Sequence, residues 1–196
     1  MPSPLPKSEQ AARSRARILS AARVRFAEQG FEATTVRAVA GDASIDASMV
    51  IRYFGSKAGL FASATAVDLG LADFAHVPRE ELGATIAAHF FDLWEEGGTG
   101  DPLRVLLASA LRDTAAAERI RSVFLDQLLP SIHRLAPEEA DSADTRAALI
   151  AAQLLGFALC RYVVRLDPIV SLDRVGAVEW LGPAVQGHLD GVHVDS

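Results

Sequence analysis

The 196-residue chain contains one cysteine, Cys160, so no intrachain disulfide is possible and the fold must rest on its core. That usage fits a reducing compartment. Strand signals are scarce too, because no alternating apolar and polar run leads into an Asn-Gly or Asp-Gly turn. The opening MPSPLPKSEQAARSRARIL has no apolar stretch of the kind a secretory signal needs. The longest nearly apolar run, Ala147 to Cys160, covers 14 residues and includes Gln153. It is too short to span a bilayer and suits a buried helix, so a soluble cytoplasmic protein with no membrane partner is expected.

Catalytic patterns are absent as well. The histidines, His76, His89, His133, His188 and His193, form no HExxH pair, and Cys160 has no CxxC partner. There is no GxSxG elbow, Walker loop or GxGxxG. His89 and Asp92 stand at i, i+3, a spacing that suits a metal but is far more often a surface contact. No enzyme activity, metal or cofactor is expected.

What is present is apolar residue at helical spacing. Half of the chain is hydrophobic and 22% is charged, which supports a sizeable, mainly helical core. The formal charge of −6 is unevenly placed. Residues 1–61 carry nine cations against five anions, and the remainder ten against twenty. A basic head on an acidic body fits a nucleic-acid partner for the head.

The most informative stretch runs from Thr34 to Lys57. Val36, Val39, Ala40 and Ala43 recur at helical spacing, Ser44-Ile45-Asp46 interrupts, and Val50 and Phe54 resume the inward stripe. Two short helices joined by a turn is the pattern of a helix-turn-helix. Asp46 suits the N-cap of the second helix, whose outer face carries Ala47, Ser48, Ile51 and Arg52. In such motifs the second helix enters the major groove, where an arginine can bond guanine O6 and N7. Two short amphipathic helices also occur in many helical proteins with no DNA partner.

The flanks narrow the choice. Upstream lies an amphipathic run, Arg13 to Gln29, ending in Gly30-Phe31; downstream lies Tyr53-Phe54-Gly55-Ser56-Lys57-Ala58-Gly59-Leu60-Phe61. Over the first third of the chain this resembles the TetR family of transcriptional regulators. The shared features are a Gly-aromatic step, a Thr-Thr helix start, a short turn and a Tyr-x-x-Phe-x-Ser-Lys close. Two positions depart from the family pattern. Ser44 stands where a turn glycine is usual, which strains a backbone at positive φ. Ile51 replaces a tyrosine that often meets phosphate.

The resemblance implies an all-α fold of about nine helices: an N-terminal three-helix helix-turn-helix domain and a C-terminal helical ligand-binding and dimerisation domain. On this reading residues 1–12 are a disordered basic arm, 13–61 the DNA-binding domain and 62–196 the body. By motif position Arg37, Ser48, Met49 and Arg52 face bases, and Thr35, Tyr53 and Lys57 face phosphates. The partners implied are a double-stranded operator, a small-molecule effector and a second copy of the chain, joined through the last two helices. An intramolecular core role for those helices is the alternative. The function implied is that of a repressor released from a pseudo-palindromic operator by its effector. The competing reading is a helical binding protein or enzyme that does not act through DNA.

Along the chain, Lys7 on the arm, with Arg13, Arg15 and Arg17 just beyond it, could reach a minor groove or phosphates; a solubilising tail is the alternative. Ile18, Leu19, Ala22 and Phe26 point inward from the first helix, which Gly30 stops. Three helices of some fifty residues are marginal alone, so they should pack on the C-terminal helices. A fourth helix is expected from Ser56 towards Phe74, a fifth from Pro78 to Gly97-Gly98, and a sixth capped by Asp101 before Pro102. A seventh, from Ala116 to Leu135, should kink at Pro130. Pro137 to Ser142 reads as a loop. Two long helices, Asp144–Leu166 and Leu172–Leu189, close the chain, the first apolar almost all round and the second bent by Pro183. The effector cavity implied by the resemblance draws on Phe90, Trp94, Leu107, Leu111, Phe124, Leu128 and Phe157, with His89, Gln153, Arg161 or Tyr162 as polar anchors. The same residues would serve a solid core.

Overall fold

The computed structural model describes residues 6–96, 100–110, 112–135 and 140–191, and all regular structure within them is helical. Helix α1 spans Lys7–Ala33 and turns Ile18, Ala22 and Phe26 wholly inward, the i, i+4, i+8 stripe expected of it. Gly30, at φ 77°, breaks the helix and lets Phe31 fold back on Phe26 and Phe61. Residues 1–5 of the expected arm lie outside the described residues. From Lys7 onward, the remainder of that arm is helical.

Helices α2 (Val36–Asp42), α3 (Ala47–Phe54) and α4 (Lys57–Ala64) complete the reading head. Each is capped by a side chain. Thr35 accepts from the Ala38 N–H at 3.1 Å, Asp46 from Ser48 at 2.8 Å, and Ser56 from Gly59 at 3.0 Å. Their core continues without a break into the body, because Val105, Leu106, Ala116 and Val123 are buried in the same cluster as Ile18, Val39, Val50 and Leu60.

Helix α4 is shorter than its apolar run suggested. It stops at Ala64, where the Thr65 hydroxyl turns back to the Phe61 carbonyl at 2.7 Å. Residues 66–70 are non-helical, Asp68 closes a turn on the Gly70 N–H, and Gly70 takes a left-handed φ of 60°. A 3₁₀ turn, Leu71–His76, comes next, so Phe74 belongs to a connector and not to α4.

The body comprises α5 (Leu82–Phe91), α6 (Gly100–Ser109), α7 (Thr114–Val123), α8 (Leu129–Leu135), α9 (Ala140–Ala158), the single turn α10 (Asp167–Val170) and α11 (Arg174–Asp190). Asp101 lies inside the first turn of α6 instead of capping it. The expected kink at Pro130 takes the form of a π turn over Phe124–Leu128, in which the Leu129 N–H reaches back five residues to Phe124. Proline supplies no N–H to the preceding turn, and a wider turn admits its ring. Ala140 to Ser142 form the start of α9 and are not loop; Pro137 to Glu139 are outside the described residues, as are Gly97 and Gly98.

Helices α5 and α11 cross closely. A Cβ on Gly83 would stand 2.4 Å from the Gly182 carbonyl oxygen, and the Gly83 N–H is bound by Gln186 at 2.8 Å. Helix α9 buries Ala143, Ala147, Ile150 and Ala158 but leaves Ala148, Leu149, Ala152, Gln153 and Gly156 exposed. It is therefore not covered all round within the protomer. With its π extension through Val164, the segment from Ser142 is long and apolar enough by composition to cross a bilayer, contrary to the shorter length expected from the run alone.

Candidate DNA interface and effector cavity

The turn before α3 carries the strain that Ser44 implies. Its φ is 50°, and the Ile45 N–H reaches the Ala40 carbonyl at 2.9 Å while the Ser44 N–H reaches Gly41 at 3.0 Å. This is the bonding of a Schellman stop with serine in the position that favours glycine. Arg17 from α1 donates to the Ala43 carbonyl and secures the turn from outside.

Asp46 then sets the start of α3. Its Oδ1 accepts from both the Ser48 hydroxyl, at 2.5 Å, and the Ser48 backbone N–H. Those bonds, the hydroxyl first, hold its carboxyl below the usual range. With the Ser48 proton committed, its oxygen is left to accept from a base. Arg52 is exposed on the same helix, Ile51 is 44% exposed beside it, and Met49 is half-buried. Arg37 is exposed on α2, and among the described residues neither Arg37 nor Arg52 has a partner within the chain.

The other cations of the head are differently used. Arg25 makes a two-pronged pair with Asp42, whose carboxyl is lowered chiefly by that bond. Arg23 donates to the Ala64 carbonyl at 3.1 Å, Arg15 lies over the Phe54 ring, and Arg13 pairs with Glu9. Thus Arg13, Arg15 and Arg17 sit on α1 with partners of their own; the Lys7 side chain is outside the described residues. Thr35 is exposed and its hydroxyl donates to no group among the described residues, whereas Tyr53 is half-buried against the head core. Lys57 does not stand free. Its Nζ donates to the Glu32 carbonyl at 2.9 Å and rests 4.5 Å from the Phe31 ring centre, because the end of α1 presents carbonyls without helical partners.

In the body, helices α5, α6, α7 and α9 and the connector enclose a cavity of about 120 Å³. His89, Phe90, Trp94, Phe124 and Leu128 line it as expected, joined by Leu69 and Leu71 of the connector and by Ile86, Leu154 and others. Five expected members are elsewhere. Leu107 and Phe157 pack in the core around Phe91. Gln153 is exposed on the outer face of α9. Arg161 donates to the carbonyls of Ile169 at 2.8 Å and Leu172 at 2.9 Å and to Glu95, stapling the end of α9 to α10. Leu111 is outside the described residues. Tyr162 donates to Glu95 at 2.8 Å and stacks on Trp94 at 4.7 Å, and burial together with that bond raises its hydroxyl well above the ordinary range. His89 and Asp92 diverge, the first to the Leu69 carbonyl and the second to Arg174.

Two polar residues with no motif to mark them tie the C-terminal helices to the connector and to the head. Gln127 bonds both Val67 and Leu69, and Asp113 bonds Phe31. The one sequence signal for Gln127 is its place four residues after the inward-facing Val123.

Comparisons with known proteins agree with this architecture. The family model for bacterial regulatory proteins of the tetR family matches residues 18–64, and that for the Tetracyclin repressor-like C-terminal domain matches residues 80–189. Among solved structures, a TetR-family regulator from Streptomyces coelicolor A3 is 27% identical, with 96% of this chain and 99% of that one covered and a TM-score of 0.62. NalD, described as the secondary repressor of the MexAB-OprM multidrug efflux pump in Pseudomonas aeruginosa, is 20% identical over 96% of this chain and all of its own, at a TM-score of 0.61. A SmeT–triclosan complex is 21% identical over 93% of both chains, at 0.65. No curated protein sequence matches significantly. With family models covering both the reading head and more than half of the chain in the body, the protein belongs to the TetR family of DNA-binding transcriptional regulators.

Proposed function

We propose that the protein is a homodimeric, cytoplasmic repressor in which residues 13–61 read an operator and residues 62–196 bind the effector and join the two copies. The observation that carries this reading is the pair Arg37 and Arg52, exposed on α2 and α3 and without a partner among the described residues, while neighbouring cations are engaged within the fold. Arg52 with Ser48 and Met49 reads base edges, Arg37 assists from α2, and Thr35 and Tyr53 bond phosphates. Lys57 meets phosphate with the two protons not given to Glu32, so it both ties α4 to α1 and touches DNA.

The open faces of α9 and α11 suit a second copy. Ala148, Ala152 and Gly156 let a helix approach closely, and Trp180, 73% exposed on α11, supplies apolar area. The exposed face of the long apolar helix then meets protein, not lipid. Two recognition helices in such a dimer read half-sites about 34–36 Å apart. Effector binding favours a conformer with a different separation. NalD and the triclosan-bound SmeT, a repressor and a small-molecule complex by their descriptions, support the same division of labour.

The test is a fluorescence-anisotropy titration against the DNA upstream of the protein's own gene, with a scrambled duplex as control. A repressor of this kind should bind with sequence preference at moderate salt. Arg52→Ala should cost roughly 1–3 kcal/mol on the preferred site only, and Lys57→Ala should weaken all duplexes and flatten the salt slope by about one unit. Equal binding to both duplexes, or none, would favour a helical binding protein that does not act through DNA.

A further inference from the structure

The connector between α4 and α5 forms part of the cavity wall and is also held by it. Leu69 and Leu71 present their side chains to the cavity, while the Leu69 backbone is bonded at both ends by residues of the opposing walls. The Leu69 N–H donates to Gln127 Oε1 at 2.7 Å, and Gln127 Nε2 donates to the Val67 carbonyl at 2.8 Å. Gln127 lies in the π turn between Phe124 and Leu128, both on the cavity wall. From the other side, His89 Nε2 bonds the Leu69 carbonyl at 2.6 Å. A carbonyl can only accept, so Nε2 carries the proton and His89 is the donor. Five residues before Leu69 is the last residue of α4.

We propose that the cavity takes an uncharged single-ring molecule bearing one hydroxyl, and that this hydroxyl inserts between His89 and the Leu69 carbonyl and releases the connector. The inference deepens the effector reading above and rests on it. Size comes first: a cavity of about 120 Å³ is close to the roughly 150 Å³ that holds a benzene ring in an apolar protein interior. Charge comes next. No Lys, Arg, Asp or Glu among the described residues lines the cavity, and His89 and the Trp94 indole are the polar groups on its wall, so a buried ionised ligand would have no counter-charge.

The hydroxyl follows from the His89–Leu69 bond. A group that enters an N–H···O=C bond without stranding either end must accept and donate through one atom. A hydroxyl does both; a ketone would take the proton of His89 and leave the Leu69 carbonyl bare. Two bonds in series through one oxygen set nitrogen and carbonyl oxygen about 4.5 Å apart instead of 2.6 Å. Leu69 then moves away from α5, and the strain falls on the Gln127 bonds that continue the tie to α4. No bond is made or broken covalently.

The experiment uses the full chain with four single-ring probes: phenol and toluene, matched in size, and the somewhat larger acetophenone and benzoate. Calorimetry should rank phenol roughly ten-fold tighter than toluene or acetophenone, the worth of one added hydrogen bond, with benzoate weakest. Hydrogen exchange should show faster loss of protection over residues 65–71 with phenol and little change with toluene. His89→Phe, which removes the tie, should show fast exchange over residues 65–71 without ligand and no further gain with phenol, while toluene still binds, which shows that the variant is folded. Exchange in His89→Phe that phenol still accelerates, benzoate binding as tight as phenol, or unchanged exchange at residues 65–71 of the native chain with phenol bound would overturn the proposal. Operator binding measured in parallel separates the two readings. Phenol binding and connector release without any DNA binding would sink the repressor reading alone, and DNA binding with no response to phenol would sink this one alone.

Discussion

Asp113 and Phe31, 82 residues apart in sequence, are joined by a hydrogen bond from the Phe31 backbone N–H to the buried Asp113 carboxylate. The other oxygen of that carboxylate caps α7 through the Ala115 N–H at 2.9 Å. One side chain therefore starts the helix whose later turns wall the cavity and also fixes the Gly30-Phe31 step at the end of α1. Removing it leaves two donors unsatisfied, one of them in the seam between head and body. Asp113→Ala should lower unfolding stability by about 2–4 kcal/mol, with Asp113→Asn, which keeps one acceptor, falling between. Chemical denaturation of the three proteins measures this, and equal stability of Ala and Asn variants would show that only one of the two bonds matters.

Ser44 is a site where the chain can be improved. Its φ of 50° costs a side-chain-bearing residue more than glycine, and its Cβ lies in an exposed turn. Ser44→Gly should raise stability by roughly 1 kcal/mol, seen as a higher denaturant midpoint at unchanged slope. A loss of stability would mean that the greater freedom of glycine in the unfolded chain outweighs the relief.

Asp46 gives a pH signature. Its carboxyl is held below its ordinary value by the Ser48 hydroxyl and then the Ser48 N–H. A group depressed in the folded state contributes stability that is full above its unfolded value, about 3.9, and is lost as pH falls through the folded value. The difference in melting temperature between the native chain and Asp46→Ala should therefore be constant from neutral pH down to about pH 5 and shrink only in stronger acid. Asp42, lowered by Arg25, acts in the same direction, so the native head should survive mild acidification. A difference that changed between about pH 7 and 6 would point to another titrating group.

Trp180 tests the assembly. At 73% exposed on α11 it is the most open large apolar residue described. Trp180→Glu places a charge in the proposed interface and should shift sedimentation from dimer towards monomer, with the helical circular-dichroism signal retained. An unchanged dimer would move the interface away from this face of α11.

Much of the head could be read directly from the sequence because its signals are local. Asp46 as a cap, Val50 and Phe54 as the inward stripe and Ser44 as a strained turn depend on neighbours within a few residues. The sequence was less informative wherever a long-range partner decides the outcome. Nothing near Lys57 says that the Glu32 carbonyl and the Phe31 ring will hold it, and nothing near Arg161 says that it will serve Ile169 and Leu172 instead of the cavity. The apolar spacing of α4 continues past Ala64 and so implies a longer helix, and only the connector's bonds to Gln127 and His89 reveal why the chain straightens there. Leu107 and Phe157 were apolar as a cavity wall requires, yet apolar is equally what a filled core requires. Composition cannot separate the two.

The π turn at Phe124–Leu128 has a genetic consequence. Ahead of it Ala116 and Val123 face the core shared with the reading head; beyond it Ile132 faces a second core with Ile86 and Val185. The turn holds one residue more than an α turn would, so deleting a single codon within it would give an ordinary α turn and leave the helices on either side facing their own cores. A one-residue deletion in α7, which has no residue to spare, would instead turn α8 by about 100° and put it out of register with the rest of the body.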